Sequence, residues 1–320
     1  MYIAHIEKVM YNRIGFPCGG ILMKAARARK KKNSRFTAFL IALCIVLIAV
    51  LSIYIAKFYK LKNNTQRDNE VFSSIYENGE NKENPIGKMP EAENGNDEGT
   101  QSEAVLLPYP RNPENVLSSF EGLIEINNDT VGYLHIPAKT VDDIKLPVVQ
   151  RDNSFYLNHD FYGRESKAGT VFLDSANSIW PQDEHLILYG HNMKNGTMLA
   201  RITRYKSLEY ARNNPILYFD TLYEKGTYVV LAALQLPAEE MQTYDFNIRT
   251  FTFGETSFDA FMYAVRKKAY YVTSAGADEN DQLLSIMTCS YNEDDERFLL
   301  MARRLRENET EEDIYALAGK

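Results

Sequence analysis

The sequence predicts a mostly β domain with added helices: a β-barrel of about eight strands, with an N-terminal helix and one late helix packed on it. Three observations predict this. Short apolar runs follow one another between Gly, Pro, Asn and Asp turns, one stretch of helical period precedes them, and a second interrupts them late. The chain of 320 residues could hold one large domain or two small ones. A long polar stretch near its start leaves a single folded unit of about 200 residues.

Taken in order, residues 1–35 form an N-terminal segment ending in a dense basic cluster: Lys24, Arg27, Arg29, Lys30, Lys31, Lys32 and Arg35. Phe36 to Ala56 is almost wholly apolar and uncharged, which matches the roughly 20 residues a helix needs to cross a bilayer. The basic cluster before it outweighs Lys57, Lys60 and Lys62 after it, so the N-terminus is expected in the cytoplasm and the remainder outside. A cleaved signal peptide is the rival reading. The length of the run and bulky Tyr54, which spoils a small-x-small pattern ending at Ala56, count against it. Residues 57–104 are expected to be a flexible polar stalk, since Asn, Glu, Gly, Lys and Asp dominate from Leu61 and bury too little surface to offset ordering entropy. Its acidic end, Glu91, Glu93, Asp97 and Glu98, reads as solvated spacer.

Residues 105–310 form the expected folded domain, and 311–320 a C-terminal tail. Val116, Phe120, Leu123 and Ile124 recur at helical spacing and predict the N-terminal helix between Asn112 and Ile126. The predicted strands are Val131–Ile136, Leu146–Val149, Gly169–Leu173, His185–Tyr189, Ile216–Phe219, Tyr228–Leu234, Leu283–Thr288 and Phe298–Ala302. Phe258, Phe261, Met262, Val265 and Ala269 share one helical face behind Thr256 or Ser257 as N-cap, and that stripe reads as core.

Composition excludes some functions. A net charge of -7 and a pI near 5.4 give no basic face for nucleic acid. The cysteines, Cys18, Cys44 and Cys289, are far apart with no CxxC pair, so neither a zinc site nor a disulfide framework is suggested. Cys289 is the only thiol beyond the apolar segment; outside the cell, an unpaired thiol is either an accident or a reactive group.

Leu283 to Cys289 reads as a buried strand whose alternation puts Ser285, Met287 and Cys289 on one face. Eight residues later Arg297 opens another strand-like run, so a turn through Tyr291 to Glu296 could set guanidinium beside thiol. A nearby cation lowers a thiol pKa from its free value of about 8.5 and favours the nucleophilic thiolate. His191 lies just past an apolar strand at an exposed loop mouth. Alone, such a histidine is more often a surface or capping residue, and a lone cysteine more often a small buried hydrophobe.

Together these segments resemble the class B sortases. The resemblance rests on Tyr189-Gly190-His191-Asn192-Met193, Gly196-Thr197-Met198-Leu199, Ser285-Ile286-Met287-Thr288-Cys289 and Arg297 with its apolar successors. Asn128 to Pro137 and Tyr156 to Gly163 extend it over most of residues 112–305. Met287 stands where the family has a small polar residue, which bears on substrate preference. The resemblance implies a membrane-anchored cysteine transpeptidase with no metal or organic cofactor, its catalytic groups His191, Cys289 and Arg297. Candidate substrate contacts are Ser285, Met287, Thr288 and Asn192. It implies as partners secreted proteins bearing a C-terminal sorting signal, and an amine acceptor from a peptidoglycan precursor or a pilin lysine. His135 and His159 read as structural, His185 has no partner in view, and His5 is cytoplasmic. A cysteine hydrolase using the same residues and a non-catalytic surface scaffold are the alternatives.

Overall fold

The computed structural model describes residues 19–81, 116–139, 143–239, 242–243, 246–249, 257–289 and 296–319. His5, Cys18, the acidic end of the predicted stalk, Thr256 and the turn at 291–295 lie outside the described residues. The chain divides into two compact units, Met1–Leu61 and Lys62–Lys320. Helix α1 (Gly19–Glu80) runs through the first into the second. Among the described residues it is the one helix long and apolar enough to cross a membrane, and every side chain from Phe36 to Ala56 is exposed.

The second unit is built from β1 (Thr130–Ile136), β2 (Ile144–Val149), β3 (Val171–Leu173), β4 (His185–His191), β5 (Ile216–Thr221), β6 (Thr227–Pro237), the small hairpin β7 (Gln242–Thr243) and β8 (Phe246–Asn247), β9 (Tyr271–Val272), β10 (Leu283–Cys289) and β11 (Glu296–Arg304). Its shorter helices are α2 (Glu121–Ile126), α3 (Leu208–Asn213), α4 (Phe258–Lys268) and α5 (Glu311–Ala318). The sheet order is β11-β10-β4-β3-β2-β1-β5-β6-β9, and an added β11–β6 pairing closes eight strands into a barrel with β9 alongside β6. Closure satisfies backbone groups that an open edge would leave unpaired. All of the predicted strand runs fall on barrel strands; β7, β8 and β9, two residues each, are too short to leave a periodic signal.

Strands β4, β10 and β11 are buried on both faces, which is why they read as continuous apolar runs. Leu186, Leu188, Leu284, Ile286 and Leu300 are fully buried towards the barrel interior. Alternate residues, Ile187, Met287, Leu299 and Met301, pack outward in one cluster with Phe261, Met262 and Val265 of α4. Ser257 caps α4 by accepting from the Ala260 amide, and Arg266, Lys267 and Lys268 complement its C-terminal dipole.

Of the predicted helix between Asn112 and Ile126, residues 112–115 lie outside the described residues; a 3-10 turn at Ser118–Phe120 runs into α2, with Phe120 and Leu123 buried. The stalk expectation is corrected more strongly. From Lys62 to Glu80 the chain is helix and packs on the barrel, with Phe72 and Tyr76 buried one turn apart. Tyr76 stacks on Tyr133 at 4.1 Å between ring centroids and hydrogen-bonds to Asp220 at 2.5 Å, while Phe72 lies 4.6 Å from Phe161. Gly79 permits the close approach, since a Cβ there would sit 2.6 Å from the Ser119 Cα. A polar composition average hid two aromatic anchors on one helical face. The tail is also ordered: Thr310 and Asp313 form a capping box for α5, which buries Ile314.

Candidate active site at the ends of three strands

Strands β4 and β10 run parallel, and their register pairs Cys289 with His191. Strands β10 and β11 run antiparallel; their last registered pair is Thr288 with Phe298, and Cys289 and Arg297 follow it by one residue on each strand. Residues opposite one another in a ladder share a face. Positions 191, 289 and 297 therefore share one face at one end of three adjacent strands, the cysteine position in the middle. With strands about 4.8 Å apart, the three positions span about 10 Å. This is the convergence that residues 98 apart in sequence (191 and 289) require if they are to act together.

His191 is half-buried and its ring is fixed from the barrel side: Nε2 lies 2.7 Å from the Leu157 carbonyl oxygen. A carbonyl only accepts, so Nε2 holds a proton there, and Nδ1, itself buried, is the ring's other nitrogen. Gly169 makes room for this arrangement. Its φ of +60° is left-handed, and a Cβ there would lie 2.5 Å from the Tyr156 carbonyl oxygen and 3.2 Å from His191 Cδ2. Both Leu157 and Gly169 were beyond sequence reasoning as site residues, although Tyr156 to Gly163 carried family resemblance.

Half-buried Asn192 begins a turn closed by its bridge to Met198, within which the Asn195 Oδ1 accepts from the Thr197 amide and hydroxyl. Met287 shares the face of Cys289 but is 7% exposed and packed in the α4 cluster. Thr288 points the other way, is 1% exposed, and its hydroxyl oxygen accepts from the Phe298 amide. Ser285 is fully buried and bonded to His185 Nε2 at 2.8 Å. Thr288 and Ser285 are therefore internal polar groups, corrected from candidate substrate contacts: facing is set by two-residue alternation, but depth along the strand decides access.

The same contact supplies the partner that His185 lacked in the sequence. Burial pushes the His185 pKa down to about 3, so the folded protein keeps the ring neutral while the unfolded chain binds a proton below about 6.5. Stability is therefore complete above 6.5 and falls as pH drops towards 3, by about 1.4 kcal/mol per unit. Urea unfolding at pH 6.5 and pH 5 should show about 2 kcal/mol of loss that His185→Gln removes. His135 pairs with Asp143 at 2.9 Å, and His159 stacks on Phe155 at 3.9 Å.

No family model matches the chain. Two curated relatives do: sortase B of Listeria monocytogenes, 28% identical over 187 residues (57% of this chain, 71% of the relative), and sortase B of Staphylococcus aureus, 26% identical over 217 residues (67% and 85%). The solved Staphylococcus aureus sortase B–substrate complex superposes with a TM-score of 0.51 at 25% identity, covering 61% of this chain and 88% of that one. Closed barrel, late helix and the likeness across most of these relatives agree with the motifs at His191 and Cys289. These likenesses support a class B sortase, a sortase-type cysteine transpeptidase.

Proposed function

We propose that Cys289 is the nucleophile, His191 the proton carrier and Arg297 the oxyanion-binding cation of a transpeptidase that residues 36–56 anchor in the cell membrane. The N-terminus is cytoplasmic and the barrel outside. The supporting observation is the strand register that sets Cys289 between His191 and Arg297.

The Cys289 thiol gives its proton to His191 Nδ1, and the sulfur attacks the threonyl carbonyl carbon of a C-terminal sorting signal on a secreted protein. The carbonyl π electrons move to oxygen, where the Arg297 guanidinium meets the developing charge. As the tetrahedral carbon collapses, its C–N bond breaks and the leaving amine takes a proton from His191 Nδ1. A thioester remains. An amine of a peptidoglycan precursor, or a pilin lysine, then loses a proton to Nδ1, attacks the thioester carbon and expels the sulfur, leaving a new amide. The solved Staphylococcus aureus relative is a sortase B–substrate complex, which supports a sorting-signal substrate for this chain.

Mixing the full chain in detergent with sorting-signal peptides and an amine acceptor, then weighing the products, tests this reading. The amide of peptide and acceptor is the expected product. Release of free acid alone, at any acceptor concentration, would identify a hydrolase instead. Arg297→Lys retains charge but loses the planar fork, so kcat should fall about 100-fold, the loss typical of one oxyanion donor. Near-normal turnover would reassign Arg297 to a structural role.

A further inference from the structure

Asp174 carries a fully buried carboxylate just beyond β3, outside every segment assigned to the chemistry. Four donors converge on it: the Tyr189 hydroxyl at 2.8 Å, the Ala176 amide at 3.0 Å, and Arg249 through Nε at 3.0 Å and Nη2 at 3.2 Å. The guanidinium comes from a different region, immediately after the β7–β8 hairpin, and its side chain is about half exposed. Burying a carboxylate is costly unless it is paired and hydrogen-bonded, so this latch holds Arg249 against the barrel.

The neighbouring residue shows where the latched segment lies. Ile248 is 2% exposed and belongs to the cluster containing Met287 and Leu236, against which Tyr189 packs. Met287 precedes Cys289 by two residues on one face, Tyr189 precedes His191 likewise, and Leu236 is the registered partner of Arg297. Ile248, next to Arg249, thus belongs to the cluster that also holds the neighbours of all three proposed catalytic positions.

We infer that Asp174 and Arg249 are positioning residues: by latching residues 246–249 beside the strand ends they hold a wall of the cleft in which the sorting-signal peptide lies. This inference rests on the transpeptidase reading. Neither residue touches the reacting atoms, so loss of the latch should weaken peptide binding and leave the chemical step intact.

The test compares wild type, Arg249→Gln, Arg249→Lys and Asp174→Asn as full chains, with acyl-enzyme formation followed against sorting-signal peptide concentration. Arg249→Gln leaves the buried Asp174 carboxylate without its cation and should lower the Tm, so kinetics are read per folded molecule, and the double variant with Asp174→Asn, which removes the buried charge as well, supplies the folded comparison. The expected result for Arg249→Gln is a KM about tenfold higher with kcat within twofold of wild type. Arg249→Lys, which keeps the charge without the fork, should fall between. The double variant Asp174→Asn with Arg249→Gln should be no worse than the poorer single variant, because one contact is removed twice. An unchanged KM in folded Arg249→Gln, or a loss confined to kcat, overturns the inference. A wild type that forms no acyl-enzyme with any peptide overturns the transpeptidase reading instead, so the two failures are distinct.

Discussion

Cys289→Ala should form no acyl-enzyme, and sorting-signal cleavage should fall by about 10⁴-fold or more, as removal of a nucleophile does elsewhere. The reason is chemical: the thioester carries the acyl group between two amines, and Cys289 is the sequence's only thiol beyond the apolar segment. His191 and Arg297 can move a proton and stabilise an oxyanion, but neither can store the acyl group. Intact-mass spectrometry after mixing with peptide gives the readout. Wild type should gain the mass of the acyl fragment and lose it on adding amine, whereas the alanine variant should keep its own mass throughout. A trapped adduct on the variant would sink the assignment. Retained cleavage without an adduct would point to attack by water.

The second large effect concerns the fold. Arg303 on β11 has no exposed side-chain surface, yet five hydrogen bonds satisfy it. Both guanidinium branches meet Glu309 at 2.7 Å, and the remaining donors reach the carbonyls of Gly276, Ala275 and Arg304 between 2.8 and 3.1 Å. This joins the end of the barrel away from the strand ends that carry His191 and Cys289 to the chain on either side. Arg303→Met keeps much of the volume but leaves a carboxylate and three carbonyls without their donor, and should cost about 3–5 kcal/mol. For a unit of this size that is about 10 °C in Tm. Chemical denaturation of the full chain checks it, and activity per folded molecule should be unchanged.

Glu309 gives the pH signature of that pair. The hydrogen bonds from Arg303 hold its carboxyl below the ordinary glutamate range. A depressed carboxylate pKa stabilises the fold above the unfolded value, and the contribution is lost as pH falls through the folded one. The loss begins as pH falls through the ordinary glutamate range, whereas the His185 loss begins near pH 6.5, so the two separate along one titration.

How much of this was legible in the sequence differs element by element. Strand runs such as Leu283–Thr288 were legible because a buried strand must be apolar along its length, and α4 because Phe261, Met262 and Val265 repeat at its period. The hairpin of β7 and β8 was not, because two residues carry no period. The segment around Phe72 and Tyr76 was read as stalk because two aromatics among polar residues do not shift a composition average. Their burial depends on Tyr133 and Phe161 arriving from far along the chain. Ser285 and Thr288 were candidate substrate contacts under the family resemblance, yet both are buried, Thr288 on the opposite face from Cys289 and Ser285 deep along the strand.

The sequence alone determined the strand runs in order, the apolar segment, and the residue types able to do thiol chemistry, because these are local properties: side-chain period, length, and the pKa and nucleophilicity of single groups. Tertiary structure decided which groups are neighbours. The register of β4, β10 and β11 puts His191 and Arg297 on either side of Cys289, the Leu157 carbonyl selects the His191 tautomer, and the Asp174 carboxylate meets Arg249 across 75 positions. Such pairings follow from barrel closure, and no local pattern encodes them because each partner is polar for reasons visible only when the other arrives.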